Sequence, residues 1–505
     1  MKKTVWLLCL VFCFSAFTSC RSNTTTSNTS SSVASSETSS AVSGGEKEGI
    51  FSLAYFANDS FNPYLASQSV NFYLGSLLYD PLVTVKSDFS VELVIADNIS
   101  FEDNVCTVTL KKGLKFSDGT EVTANDVVSS FSAAKSSAYY SQRLSNASSC
   151  KAVDGAVVFT LKKADKGFSK NLTFPIIKGG SKQSMAAGSG RYRFATDSAS
   201  DGLVKNEYNT LRKTNIESIS LTQIHKYSTL PYMVKIGSVN YVYANLDSSL
   251  NFAASSWGSV LMNNLVYLGV NSNNALLANQ DFRKAVSLCV DRKNILTDAY
   301  AGAGYATAAP FHPEAVDLNS KGYSIALNDS SAAQILLGTC GYTEKNENGT
   351  FMLDDTTEIR LRLAVNSGNT ARKRAAQSVK LNLEAAGIGV DIIEESADAY
   401  KARIASGDYD LFIGEVKLTA DNDISSLLSV GSLNACNDEG ASLLAYNQYL
   451  AGEITLDDFL KTFDLKTPFI PILYRNSTAF FSATLSGNQT VTEYDVFAAM
   501  DKWEF

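Results

Sequence analysis

The chain has 505 residues, 45% hydrophobic and 19% charged, with a formal net charge of −8. That length is too great for one hydrophobic core, so at least two lobes are expected, and an acidic balance without a basic stripe argues against nucleic acid as a partner. The two histidines, His225 and His312, lie far apart in the sequence, which argues against a multi-histidine metal centre and weakens Ser-His and Cys-His nucleophile schemes, so no cofactor is expected.

The N-terminus reads as a targeting segment. Lys2 and Lys3 supply a positive start, and Val5 to Phe17 is an apolar run too short to cross a membrane comfortably. The run ends in Phe17-Thr18-Ser19-Cys20. Small residues before a cysteine resemble the bacterial lipoprotein signal over residues 1–20, which implies cleavage just before Cys20 and acylation of Cys20 as the first residue of the mature chain. An ordinary secretory signal with an incidental cysteine is the alternative. Residues 21–48 are rich in Ser and Thr and have almost nothing apolar to bury, so they cannot offset the entropy of ordering and should form a flexible tether. No Cys-x-x-Cys pair occurs, and the five cysteines after Cys20 are an odd, widely spaced set, so a disulfide framework is not expected.

The folded part opens with a strand near Gly49 to Ala54, a turn at Phe61-Asn62-Pro63-Tyr64 and a short helix from Val70 to Leu78. Cys106, Val108 and Leu110 alternate with Thr107 and Thr109, the period of a half-buried strand, and Leu114 and Phe116 resume it after Lys111-Lys112-Gly113. Ser117-Asp118-Gly119-Thr120 is a turn. Thr123 then suits an N-cap with Asp126 three residues on, ahead of Val127, Val128, Phe131 and Ala134 at helical spacing. By spacing alone this is a strand, turn, strand, turn and helix with no catalytic constellation.

Further strands are expected at Val153 to Lys162, Ile216 to Leu221 and Leu265 to Val270, the last ending at Asn271. Asp281 to Tyr300 reads as the clearest helix. Phe282, Ala285, Val286, Cys289, Leu296 and Ala299 form its apolar stripe, and Arg283, Lys284, Arg292 and Lys293 lie mainly off it. Helices at Ala371 to Ala386 and Tyr400 to Ala405 alternate with strands at Leu361 to Val365, Val390 to Ile392 and Leu411 to Ile413, the pattern of an α/β lobe with a largely parallel sheet. Pro468 to Tyr474 is a last apolar strand.

Several of these runs together resemble one family. They are Leu78-Tyr79-Asp80-Pro81-Leu82, the stretch Leu110 to Thr120 (LKKGLKFSDGT), Thr123-Ala124-Asn125-Asp126-Val127-Val128, and Phe282-Arg283-Lys284-Ala285-Val286 through Val290-Asp291-Arg292. In this order they resemble the extracytoplasmic solute-binding proteins of the peptide/nickel family, which serve ATP-driven importers, and the likeness runs from about Phe51 to Trp503. It implies an α/β, two-lobed periplasmic-binding-protein-like fold (type II, cluster C) with an extra subdomain on the first lobe. Lobe I would comprise 49–77, 188–265 and 475–505, the extra subdomain 78–187 and lobe II 266–474. Two segments would cross between the lobes, which would close on a ligand by hinge motion.

The resemblance also implies where ligand sits. Peptide-binding members hold the peptide amine with an aspartate shortly after the strand that begins here at Tyr409-Asp410, so Asp421, and second Asp423, are the expected ligand carboxylates. Asn62 and Tyr64, Asn271 at the first crossing, and the aromatic residues Trp257 and Tyr243 are further candidates. The function implied is a lipid-anchored, extracytoplasmic, monomeric binding subunit that captures peptides or a related small solute and delivers it to a permease and its ATPase without chemistry. A surface-tethered hydrolase using a carboxylate pair, or a sensor of the same fold, are the alternatives.

Overall fold

The computed structural model of the chain describes residues 50–244, 256–315, 322–431, 436–487 and 491–505. Cys20 and the polar stretch after it lie outside the described residues.

Among the described residues, three sheets of four or more strands organise it. Ser52–Tyr55 pairs in parallel with Ser218–Gln223, and Leu203–Lys205 and Tyr192–Phe194 extend that sheet in antiparallel fashion. A second, four-stranded antiparallel sheet has the order Ala96–Glu102, Val105–Leu110, Ala156–Leu161, Ala147–Val153. The helix Ala124–Lys135 packs on it, burying Val127, Phe131 and Ala134. Thr123 caps that helix in a reciprocal box: its side chain accepts the Asp126 N–H, and the Asp126 carboxylate accepts the Thr123 N–H at 2.9 Å.

The third sheet joins distant parts of the chain, in the order Tyr241–Ala244, Ile470–Phe481, Ser256–Val270, Leu411–Lys417, Arg360–Asn366, Gly389–Glu395. The two long strands, Ser256–Val270 and Ile470–Phe481, run antiparallel; the register slips between Val260 and Asn264 and again between Val266 and Tyr267. Bulges of this kind bend a strand. Beyond the first slip the sheet becomes parallel between Arg360–Asn366 and both Gly389–Glu395 and Leu411–Lys417. It is covered on both faces. Val266, Leu268 and Val270 join one apolar cluster and Leu265 and Tyr267 another, as a period of two requires in a strand buried on both sides. A separate, larger cluster gathers residues from Phe51 to Phe174 with the C-terminal segment, whose Trp503 is fully buried against Phe51 and Tyr241.

Three local expectations change. The strand expected at Val153 to Lys162 is a hairpin: Asp154 and Gly155 take positive φ (50° and 80°), so the chain turns there and Val153 ends the preceding strand. Leu114 and Phe116 are buried but form no strand; an isolated bridge from Lys115 to Glu121 closes that loop. The helix expected at Asp281 to Tyr300 is two helices, Gln280–Cys289 and Arg292–Tyr300, broken at Val290. Its arginines do not face solvent. Arg292 is fully buried and donates to the carbonyls of Pro471 (2.7 Å) and Ser287 (2.9 Å), while Arg283 donates to those of Leu277 and Lys466. Both tie the broken helix to the chain around the return strand.

A two-stranded hairpin, Val83–Val85 with Val91–Leu93, ends in Phe89 at φ 61°. A bulky residue rarely takes that conformation. Phe89 is nonetheless fully buried, against His312, Tyr494, Leu261, Ala315 and Ala420.

Candidate functional site

A cavity of about 310 Å³ opens where these parts meet. Pro63 and the helix Ser69–Leu78 supply one wall through Phe72 and Tyr73; Tyr139, Tyr140, Arg143 and Thr173 supply another; Lys417, Glu493 and Tyr494 close it. Phe72 stacks on Tyr139 with ring centroids 4.0 Å apart, and Tyr73 is backed edge-to-face at 4.5 Å by Tyr243, which does not itself line the cavity. Such surfaces offer apolar area at low entropic cost, with hydroxyls at the rim.

Four charged side chains line the cavity. Arg212 is spent on protein carboxylates, with Asp495 at 2.7 Å and Asp80 at 3.4 Å, and Asp495 also takes Arg191 at 2.9 Å. Glu493, its side chain fully buried, pairs with Lys417, and its other oxygen accepts the Asn263 N–H at 3.0 Å. Burial alone would raise the Glu493 carboxyl, but the charges of Lys417 and Arg143 and the Asn263 bond bring it below its ordinary value. Arg143 has no carboxylate within ion-pairing distance among the described residues. It donates to Thr173 Oγ1 at 3.2 Å, and its guanidinium lies over the rings of Tyr140 (5.4 Å) and Tyr494 (5.8 Å). The cavity therefore carries one cation more than its own carboxylates neutralise.

The residues singled out in the sequence are placed as follows. Asn62 is fully buried and gives its amide to the carbonyls of Ser181 and Gln183, while its oxygen accepts the Tyr64 N–H. The Tyr64 hydroxyl donates to the Pro175 carbonyl. These two shape the turn that presents Pro63 and do not themselves line the cavity. Asn271 closes the loop after the first long strand, donating to the carbonyls of Gly407 and Tyr409. The backbone of Trp257 pairs with Phe480, and its side chain lies outside the described residues. Asp423 is exposed and accepts the Ser425 N–H at 3.0 Å. Asp421 meets the small 3-10 helix Lys166–Asn171, where Asn171 Nδ2 donates to it at 2.6 Å, and Thr419 Oγ1 donates to its other oxygen. Burial, with Asp165 and Asp423 nearby, pushes the Asp421 carboxyl up to about 6. It sits beside the cavity without lining it.

Arg143, Lys417 and Glu493 were not singled out. They stand in no motif, and only the fold brings together positions so far apart in the chain.

Comparison with known proteins places the architecture. Residues 90–433, more than half of the chain, match the model of the bacterial extracellular solute-binding proteins, family 5. The oligopeptide-binding protein AppA of Bacillus subtilis is 26% identical over 392 residues, covering 70% of either chain. Among solved structures, the unliganded open form of the periplasmic murein tripeptide-binding protein MppA is similar with a TM-score of 0.72 at 17% identity, over 90% of this chain and 97% of that one. NikA from Brucella suis, in complex with Fe(III)-EDTA, gives a TM-score of 0.66 at 18% identity, over 86% and 95%. These neighbours are two-lobed binding proteins of the type II, cluster C class, and the expected fold class holds. The chain belongs to the family 5 bacterial extracellular solute-binding proteins, the substrate-binding components of peptide and nickel ABC transporters.

Proposed function

We propose that this chain captures a small carboxylate-bearing solute, a short peptide or a close chemical relative, in the tyrosine-walled cavity, and hands it to a membrane permease driven by a partner ATPase. It does no chemistry on that solute. The observation that carries this reading is Arg143: a guanidinium held in place by Thr173 and two aromatic rings, at a cavity, with no carboxylate of its own. Fixed forks of this kind match a carboxylate in a bidentate manner.

Around that core we read lobe I as 49–77, 188–265 and 475–505, the extra subdomain as 78–187, and lobe II as 266–474. Lys417 is then the cavity's contact from lobe II, and Arg143 its contact from the subdomain. The mature chain is read as a monomer anchored to the outside of the cell membrane through an acylated Cys20, with residues 21–48 as the leash. Asp421 is read as a ligand-facing carboxylate of secondary rank, since a solute amine reaching it must first displace Asn171.

Calorimetry of the mature chain against an equimolar library of dipeptides with free ends tests the reading. Binding weakened at least about tenfold in Arg143→Ala supports it; binding of equal strength in that variant overturns it.

A further inference from the structure

We infer that the Lys417–Glu493 ion pair is a built-in stand-in for ligand, and that a zwitterionic solute replaces it by setting its ammonium on Glu493 and its carboxylate on Arg143. This rests on the reading of the cavity given above and names the chemical form of the solute and the residue that takes its amine.

Three observations carry it. Among the described residues Glu493 is the one acidic residue in the cavity lining, so an ammonium that enters has this carboxylate to meet there. Glu493 is also fixed. Its side chain is fully buried, Asn263 N–H holds one oxygen at 3.0 Å, and its own N–H is bound to the Leu261 carbonyl at 3.2 Å beside the bulge in the first long strand. Its cationic partner is not fixed: 42% of the Lys417 side chain is exposed, at the end of the strand Leu411–Lys417, and a flexible four-carbon stem lets it swing into water.

The energetics follow from the contrast. A buried carboxylate stripped of its cation is strongly unfavourable, so in the empty protein Lys417 must stay on Glu493. A solute ammonium does the same work from inside the cavity, and Lys417 leaves at little cost because water takes its charge. Arg143, held by Thr173, Tyr140 and Tyr494, stays where it is and receives the other end. Charge then balances, with the excess cation of the empty cavity met by the carboxylate. A solute with a blocked amine leaves the pair intact and competes with Lys417 for space. At about 310 Å³ the cavity is at the small end for ligand sites, which favours solutes whose two charges are close together.

The test is calorimetry with three equimolar dipeptide libraries, one with free ends, one N-acetylated and one C-amidated, on the wild-type mature chain and on Arg143→Ala, Glu493→Gln and Lys417→Met. Free dipeptides should bind at least about tenfold more tightly than N-acetylated ones, and Glu493→Gln should erase that difference. Lys417→Met should bind free dipeptides more tightly than wild type, since it removes the competitor and leaves Glu493 without a cation until the solute ammonium arrives. The inference is overturned if N-acetylation costs nothing while Arg143 still matters, or if Lys417→Met weakens free dipeptides as much as C-amidation does, which would make Lys417 a carboxylate anchor. Loss of Arg143 dependence itself would instead overturn the reading of the cavity. The acetylation and Lys417 arms stand even if Glu493→Gln fails to fold.

Discussion

Glu493 and Asp421 are both carboxylates at or beside the tyrosine-walled cavity, Glu493 fully buried and Asp421 half-buried, and they end in opposite states. Glu493 lies between Lys417 and Arg143 and is held below its ordinary value. Asp421 has neutral donors, Asn171 and Thr419, and acidic neighbours, Asp165 and Asp423, and is pushed up to about 6. Glu493 is the more deeply buried of the two and is still the one held ionised, so the sign of the neighbourhood decides. One corner of the joint is thus built to recognise charge, and the other is a hydrogen-bonded contact that tolerates losing it.

The sharpest way to press this contrast is a third carboxylate, Glu415, which has cations on both sides: Arg475 at 2.5 Å, itself 6% exposed, and Arg372 at 3.6 Å. Glu415→Ala leaves Arg475 buried without this partner and should destabilise the protein by about 3–5 kcal/mol, read as a drop in the urea midpoint. A loss below about 1 kcal/mol would mean that matched cations are not what these acids provide.

Asp421→Asn should act in the other direction. Its carboxyl titrates at about 6 in the folded chain against 3.8 ordinarily, so its contribution is complete below pH 3.8 and is lost as pH rises through 6. The amide should therefore stabilise at pH 7.5, by at most about 3 kcal/mol, and do nothing near pH 3.5. Thermal unfolding at the two pH values decides it, and destabilisation at pH 7.5 would break the comparison.

Arg143→Met should weaken binding of carboxylate-bearing solutes about tenfold to a hundredfold, or about 1.4–2.8 kcal/mol by calorimetry, while the Lys417–Glu493 pair keeps Glu493 ionised. The smallest effect belongs to a helix cap. Asp126→Ala opens the box at Thr123 and should cost about 1 kcal/mol, read as a drop in the urea midpoint.

Much of the framework could be read from local pattern. The cap at Thr123 and Asp126, the alternation from Val105 to Leu110 and the apolar run from Leu265 to Val270 are dictated within a few residues, and they stand. What local pattern misses is long-range satisfaction. Arg283 and Arg292 fall off the apolar stripe by spacing, yet carbonyls at Lys466 and Pro471 draw them inward. The hairpin at Asp154-Gly155 was hidden because the Val153 to Lys162 run is apolar enough to pass for one strand. Asp421 could be picked out by its place after a strand, but the amide of Asn171, 250 residues away, could not. The cavity charges, Arg143, Lys417 and Glu493, are ordinary surface residues until three separate segments converge.

Phe89 carries one more consequence. Its ring covers the His312 imidazole at 5.0 Å, whose Nδ1 accepts the Glu314 N–H, so the ring proton resides on Nε2 and the group is neutral; burial pushes it down to about 3. Its contribution is complete above pH 6.5 and drains away as acidity approaches pH 3. Ala420, packed with Phe89, is the immediate neighbour of Asp421, which responds to acid with the opposite sign. Two adjoining titrations thus partly cancel, and the stability contributed by this corner of the molecule should change less between pH 6 and pH 4 than either group alone would make it.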